Sequence, residues 1–468
     1  MAPNPTAFTS AAAIAQAVAA GDTSATAVVE GALGRIAAHD QTLNAFTHVA
    51  RERALARAAE LDARRARGEA LGPLAGVPFG VKNLFDVRGI PTLAGSKINR
   101  DRPPAQGDAE LIHRLEAADA VLVGALNMGE YAYDFTGENP HYGPSRNPVD
   151  PSRMSGGSSG GSGAAVGAGL VPLALGSDTN GSIRVPAALC GTFGLKPTYG
   201  HLSRRGTFLF CPSLDHLGPL GRSVADLALA FDAMQGVDPA DPACSAPEGP
   251  NPTFPTLQRG IDGLRLAVAD DYFRRGATPE ALGAVEQVAK TLGVTQTATF
   301  PEAARARAAG YIITASAASQ LHLERLRRRA ADFDPLVRDR LMAGATFPAA
   351  WYLHAQRFRR WYAAAVAQVF TRVDVVIAPT TPCSAPAIGQ QTMVLDGLEV
   401  QVRPNLGLYT QPISLAGLPV GAVPVAGYPL PVGVQLIAAP GREAHALAAA
   451  AALEGADTAT PTANPAWQ

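Results

Sequence analysis

Nine consecutive residues, Ser155 to Gly163, are serine or glycine only. A run without any side chain larger than a hydroxymethyl group has two uses. It is a flexible tether, or it is a place where backbones come into close contact. Strongly patterned sequence follows at once (Ala164 to Leu175), and no separable second domain flanks the run, which argues against a tether. The letters Gly156-Gly157-Ser158-Ser159-Gly160 also spell the G-x-S-x-G of a nucleophile elbow. An elbow needs a strand running into its serine, and Asn147-Pro148-Val149-Asp150-Pro151 cannot be a central strand. A third reading joins this run to a second polar turn, Gly176-Ser177-Asp178-Thr179-Asn180-Gly181-Ser182, and to a lysine upstream.

The rest of the chain predicts the setting. Apolar positions recur every three or four residues through AAAIAQAV, TAVVEGALGRIAAH and RERALARAAELDARRA, so residues 10–65 predict two or three helices. Gly76 to Lys82 is a short apolar run opened by turn residues and predicts a buried strand with Lys82 at its end. AELIHRLEAADAVLVGAL predicts a helix and then a strand, the alternation of an α/β protein with a mixed or parallel sheet. Prolines 140, 144, 148 and 151 interrupt the pattern before the serine-glycine run. A helix, a strand at Leu170 to Leu175 and the polar turn follow. Residues 235–370 are more helical, and strand signals return at Val373 to Pro379, Val420 to Pro424 and Pro431 to Ile437. Glu443 to Leu453 predicts the last helix.

Composition narrows the function classes. With 47% apolar and 17% charged residues the chain is globular, and its 468 residues suffice for a large core. A prior of about 150 residues per domain allows three domains, yet no disordered linker marks a cut. The net charge of −1 gives no reason to expect nucleic acid or an anionic membrane. The basic runs Arg325 to Arg329 and Arg357 to Arg360 read as solvated helix faces. Cys190, Cys211, Cys244 and Cys383 lie far apart and form no CxxC pair, so neither a zinc knuckle nor a disulfide framework is expected. MAPNPTAFTS lacks the basic and apolar regions of a signal peptide, and the Ala/Gly-rich stretch 164–175 is too short to span a bilayer. A soluble cytoplasmic protein is the expectation.

The candidate chemistry falls to a serine and a lysine. A serine hydroxyl is a weak nucleophile at neutral pH and needs a base. Ser182 sits in a turn of small and polar residues whose N–H groups can converge on an oxyanion. Lys82, trailing an apolar run, is a base if burial leaves it neutral. Taken singly, the lysine reads equally as half of a structural ion pair.

Residues 154–200, MSGGSSGGSGAAVGAGLVPLALGSDTNGSIRVPAALCGTFGLKPTYG, closely resemble the amidase signature, and Gly76-Val77-Pro78-Phe79-Gly80-Val81-Lys82-Asn83 resembles that family's lysine motif. NMGEYAYDFTGENPHYGPSRNP, SLDHLGPLGRS, DVVIAPTTP and LPVGVQLIAAPGREAHAL are also similar, so the resemblance spans essentially the whole chain. It implies an α/β amidase-signature fold, a central mixed β-sheet covered by helices on both faces. It also implies a single domain over residues 1–468: a helical segment 1–65, a signature core 66–235, a helical substrate-side region 236–370 and a return to the sheet over 371–468. The catalytic set carried over by position is Ser182 as nucleophile, Ser158 as a bridging serine after a cis peptide bond, and Lys82 as base. The backbone amides of Thr179, Asn180, Gly181 and Ser182 form the implied oxyanion hole. No metal or organic cofactor is implied. The chain departs from the family pattern with Asn180 in place of the usual glycine and Asn83 in place of the usual aspartate. Asn tolerates left-handed backbone better than most residues, and neither change removes a member of the relay.

Within the family, SDTNGSIRVP, NMGEYAYDFTGEN and NLGLYTQPISLAGLPV resemble a branch that hydrolyses a small carboxylated urea-type substrate with release of ammonia. The alternative is the glutaminase A-type subunit of a tRNA-dependent amidotransferase. Arg359, on a helix from about His354 to Thr371, resembles in placement a substrate-carboxylate arginine, and a guanidinium grips a carboxylate through two parallel bonds. The competing reading is a helix-surface arginine. Tyr131 is a second candidate for substrate binding. Both branches associate with a small helical accessory subunit of the C type, which implies a hetero-oligomer, or else a homo-oligomer, with no direct nucleic-acid or membrane contact.

Overall fold

The computed structural model describes residues 10–245, 251–462 and 464–467. Most of the N-terminal stretch read for a signal peptide lies outside them. In chain order the strands are Phe46–Val49 (β1), Pro78–Lys82 (β2), Val121–Leu126 (β3), Leu173–Asp178 (β4), Phe193–Lys196 (β5), His216–Gly221 (β6), Leu266–Ala269 (β7), Thr297–Ala298 (β8), Val375–Pro379 (β9), Thr392–Leu395 (β10), Leu398–Gln401 (β11), Val420–Val425 (β12) and Val432–Ala438 (β13). Eleven of them make one sheet in the order β1-β3-β2-β4-β6-β5-β12-β13-β9-β7-β8, and β10-β11 is a separate hairpin. β2 lies parallel between β3 and β4, whereas β6, β5, β12 and β13 pair antiparallel, so the sheet is mixed as expected.

Every residue of β2, β3 and β4 is buried. Successive side chains point to opposite faces, so burial of all of them means that helices cover both faces. Of the two or three N-terminal helices expected there are three, Ala11–Ala20, Ala25–Leu43 and Arg51–Ala66, and Ser10 and Ser24 accept from the amides of Ala13 and Ala27 to cap the first two. Long helices fill the stretch before β9: Pro279–Thr291, Ala303–Arg329, Pro335–Ala345 and Ala349–Val369. On the second of these Arg327 and Arg328 are exposed and pair with Glu324, the solvated face expected of the basic run. Among the described residues no helix is long and apolar enough to cross a membrane.

The serine-glycine run is a helix start packed in the middle of the molecule. Gly160–Gly167 is helical and wholly buried, and it runs over β2 and β4. A methyl group on Gly161 would stand 2.5 Å from the carbonyl oxygen of Ala45 and 2.6 Å from the backbone of Asn127, and one on Gly163 would stand 3.1 Å from Pro186 and Cys190. The contacts at Gly161 are with backbone, which cannot yield, so only glycine lets the helix lie this close.

Candidate active site

β2, between β3 and β4, ends in Lys82, whose side chain is fully buried. Ser158 Oγ lies 2.7 Å from Lys82 Nζ, and Ser177 Oγ lies 2.9 Å away. The Gly157–Ser158 peptide bond is cis, as the family resemblance implies. Its neighbours are pinned: Gly157 N–H donates to Phe135 O at 2.9 Å and Ser158 O accepts from Gly129 N–H at 3.1 Å. A methyl group on Gly157 would meet Asp134 Oδ2 at 2.5 Å.

Removal from water pushes the Lys82 amine down to about 7, against the fields of Asp178, Asp215 and Asp134, which act to raise it. At neutral pH a large share of the side chain is therefore uncharged. Asn83 plays no part in this balance: its amide bonds Thr47 and accepts from Leu93 N–H, facing β1 rather than the lysine.

β4 ends in Asp178, and the turn after it carries Ser182. Burial alone would push the Asp178 carboxyl up, but the Arg184 guanidinium grips it through two bonds of 2.9 and 3.0 Å. With Lys196 and His216 nearby, it is held well below the usual carboxylate range. Asp178 Oδ2 also accepts from the amides of Ile183 and Arg184, which curls the chain back on itself. Arg184 is held in turn by Gln435 of β13 and by Ser414. Thr179 Oγ1 donates to Asp215 at 2.6 Å, and Thr410 Oγ1 donates to Asn180 O at 2.6 Å. Gly181, at φ 144°, lies against Thr410, whose Oγ1 would be 2.2 Å from an added methyl group. A side chain has no room there. With both flanks fixed, the amides of Thr179, Asn180, Gly181 and Ser182 donate to no acceptor among the described residues.

Ser182 and Asn180 line a cavity of about 20 Å³, room for one water, walled by Tyr133, Phe135 and Phe210. Tyr311, Arg340 and Gln411 line both it and an outer pocket of about 600 Å³, where Arg307 and Arg403 stand beside Arg340. Ser158 and Ser182 are not joined by a hydrogen bond in this structure.

Two expected binding residues lie elsewhere. Tyr131 is in the core, its ring 4.0 Å from that of His322, and its neighbour Tyr133 is the tyrosine that faces the cavity. Arg359 donates to Leu415 O at 3.2 Å and lies over Tyr199, one layer behind the cavity wall. Arg340, which sequence reasoning did not select, lies over the Tyr133 ring at 3.5 Å and donates to Tyr133 O. Asp178, Arg184 and Ser177 were missed as well, although all three stand inside the signature stretch.

A buried lysine beside a serine, a turn of free amides and a second serine facing a cavity are groups with the chemistry for acyl transfer from an amide. The chain belongs to the amidase family, whose model matches residues 27–447. It is 56% identical over 446 residues to AtzE, a 1-carboxybiuret hydrolase subunit of Pseudomonas sp. (strain ADP), covering 94% of this chain and 97% of that one. It is 41% identical to the glutamyl-tRNA(Gln) amidotransferase A subunit of Chloroflexus aurantiacus (strain ATCC 29366 / DSM 635 / J-10-fl), covering 92% and 93%. A solved structure, described as a vestigial protein complex that reveals the evolutionary origins of an s-triazine catabolic enzyme, superposes with a TM-score of 0.96 at 55% identity, covering 97% of this chain and 100% of that one.

Proposed function

We propose that the chain is a serine amidohydrolase that cleaves a C–N bond of a small carboxylated urea-type substrate of the 1-carboxybiuret kind, releasing ammonia. The observation that carries this reading is the buried Lys82 amine, near neutrality in its titration and 2.7 Å from Ser158. Neutral Lys82 takes the Ser158 proton as Ser158 takes that of Ser182, and Ser182 Oγ bonds to the substrate carbonyl carbon. The amides of Thr179 to Ser182 receive the oxyanion, each such donor contributing about 2.7–4 kcal/mol in a dry site. The relay returns the proton to the leaving nitrogen, the C–N bond breaks and ammonia departs. Water then attacks the acyl-serine ester by the same relay and frees the second product. The contact between Ser158 and Ser182 closes in the substrate complex, as catalytic hydrogen bonds often do.

Arg307 and Arg340 at the outer pocket pair with no carboxylate among the described residues and favour an anionic substrate, whereas Arg403 is engaged by Asp134 and Asp334. The 56% identity to a 1-carboxybiuret hydrolase subunit supports this substrate class over glutamine. The proposal includes one amidase domain over the whole chain, a cytoplasmic location in keeping with four unbridged cysteines, and a small helical partner subunit. The partner is favoured by relatives that are themselves subunits and by the exposed Trp351, Leu353 and Trp361 on one helix.

Purified protein is expected to release ammonia from 1-carboxybiuret faster than from glutamine or simple amides, without ATP. Ser182→Ala is expected to lose at least about 10⁴-fold in kcat. Preference for glutamine would favour the amidotransferase reading, and unchanged turnover in the variant would remove Ser182 from its role.

A further inference from the structure

Asn180 replaces a glycine usual in the family, and its side chain is fixed in an informative way. Its Nδ2 donates to Thr314 Oγ1 at 3.0 Å. That hydroxyl has spent its own hydrogen on Gly310 O at 2.7 Å, so it can only accept, and the amide cannot be turned round. The carbonyl oxygen Oδ1 therefore faces away from Thr314. It is buried and receives no hydrogen bond, on a residue only 9% exposed that lines the cavity with Ser182. A buried acceptor left without a donor costs about 1–3 kcal/mol. As the side chains stand the oxygen has almost no accessible surface, so a ligand N–H reaches it as the wall of the cavity shifts; on the Gly310 side a methyl group built on that glycine would stand 3.9 Å from it. The Asn180 backbone is held by Thr410, so this oxygen cannot withdraw.

We propose that Asn180 Oδ1 accepts a substrate N–H located next to the carbonyl that Ser182 attacks, and so selects ureides over amides that carry a methylene in that place. The inference rests on the reading of this cavity as the amidase site and adds the group that recognises the internal nitrogen. A methylene there leaves the oxygen unpaired, and a site built to bond an N–H discriminates against the analogue lacking it. Asn180 contributes through its side chain to selection and through its amide to the oxyanion turn. Thr314 is a positioning residue that keeps the oxygen turned toward the ligand.

The test compares hydantoate, the N-carbamoyl derivative of glycine, with succinamate, in which a methylene replaces the internal N–H and nothing else changes. Binding to the Ser182→Ala protein is measured by calorimetry. Hydantoate is expected to bind on the order of 10- to 100-fold more tightly, and the ratio is expected to fall to within about twofold when Asn180→Gly is added. Thr314→Val, which frees the amide to turn, is expected to give an intermediate ratio and serves as a second readout if Asn180→Gly lowers stability. A ratio near one in the Ser182→Ala protein, absence of hydantoate binding, or a ratio unchanged by Asn180→Gly overturns the proposal. Failure of the amidase reading registers separately, as absence of ammonia release from 1-carboxybiuret by the unmodified protein.

Discussion

In the proposed mechanism the chemistry turns on Lys82, whose proton affinity is set by competing influences. Burial pulls the amine down from 10.5 to about 7, and the carboxylates of Asp178, Asp215 and Asp134 limit the fall. The folded protein then holds fewer protons than the unfolded chain between those two values, so this group's contribution to stability improves as pH rises across that window. Activity follows the neutral amine and is expected to climb with pH through about 7 and level off above it. A rate profile flat from about pH 5.5 to 8.5 would contradict a lysine base. Asp178→Asn removes the first of the opposing fields, so the acid limb is expected to move to lower pH. Stability is expected to drop by about 3–5 kcal/mol as Arg184 loses its buried partner. A limb that moved upward in that variant would show that Asp178 does not act on the lysine through its charge.

At the level of single elements, the helix Gly160–Gly167 shows what the sequence can and cannot announce. Its residue types are consistent with a tether, an elbow or a tight packing surface, and the prolines at 148 and 151 dispose of the elbow. The backbones of Ala45 and Asn127, distant in sequence, are what demand glycine at 161. Gly161→Ala is expected to lower stability by about 1–3 kcal/mol through overpacking, despite alanine's better helix propensity, measured by denaturant titration. A gain in stability would mean that the neighbouring strands are free to shift. Strands dense in branched apolar residues, such as β3, β9 and β13, are legible in the same way as the helices. β5 and β6 are not: Phe193–Lys196 and His216–Gly221 carry Gly194, Gly218, Pro219 and Gly221, poor strand formers that sit centrally only because β4 and β12 hold them. In the site, Lys82, Ser158 and Ser182 can be named through the resemblance of their stretches to the amidase signature. Arg340 and Thr314 cannot, since they reach the cavity from helices far along the chain with no local pattern to mark them.

Across the whole molecule, the sheet interleaves early and late sequence. β12 and β13, from the last fifty residues, stand between β5 and β9, and Gln435 of β13 bonds the arginine that holds the Ser182 turn. A molecule wired this way is expected to melt in one calorimetric transition, with the calorimetric and van't Hoff enthalpies equal. Two resolved transitions would divide the chain into separate units. The wall common to the two chambers has a consequence for traffic. The cavity beside Ser182 has little room for an amide while Tyr311, Arg340 and Gln411 stand as they do, so rotation of these shared side chains is expected to govern entry. Tyr311 is the exposed one of the three, and exposed side chains swing in nanoseconds or less, whereas turnovers take on the order of a tenth of a second. Admission on that clock is a filter by girth: slim planar molecules slip through during any of many brief openings, and bulky ones are turned back without slowing the chemistry behind the door.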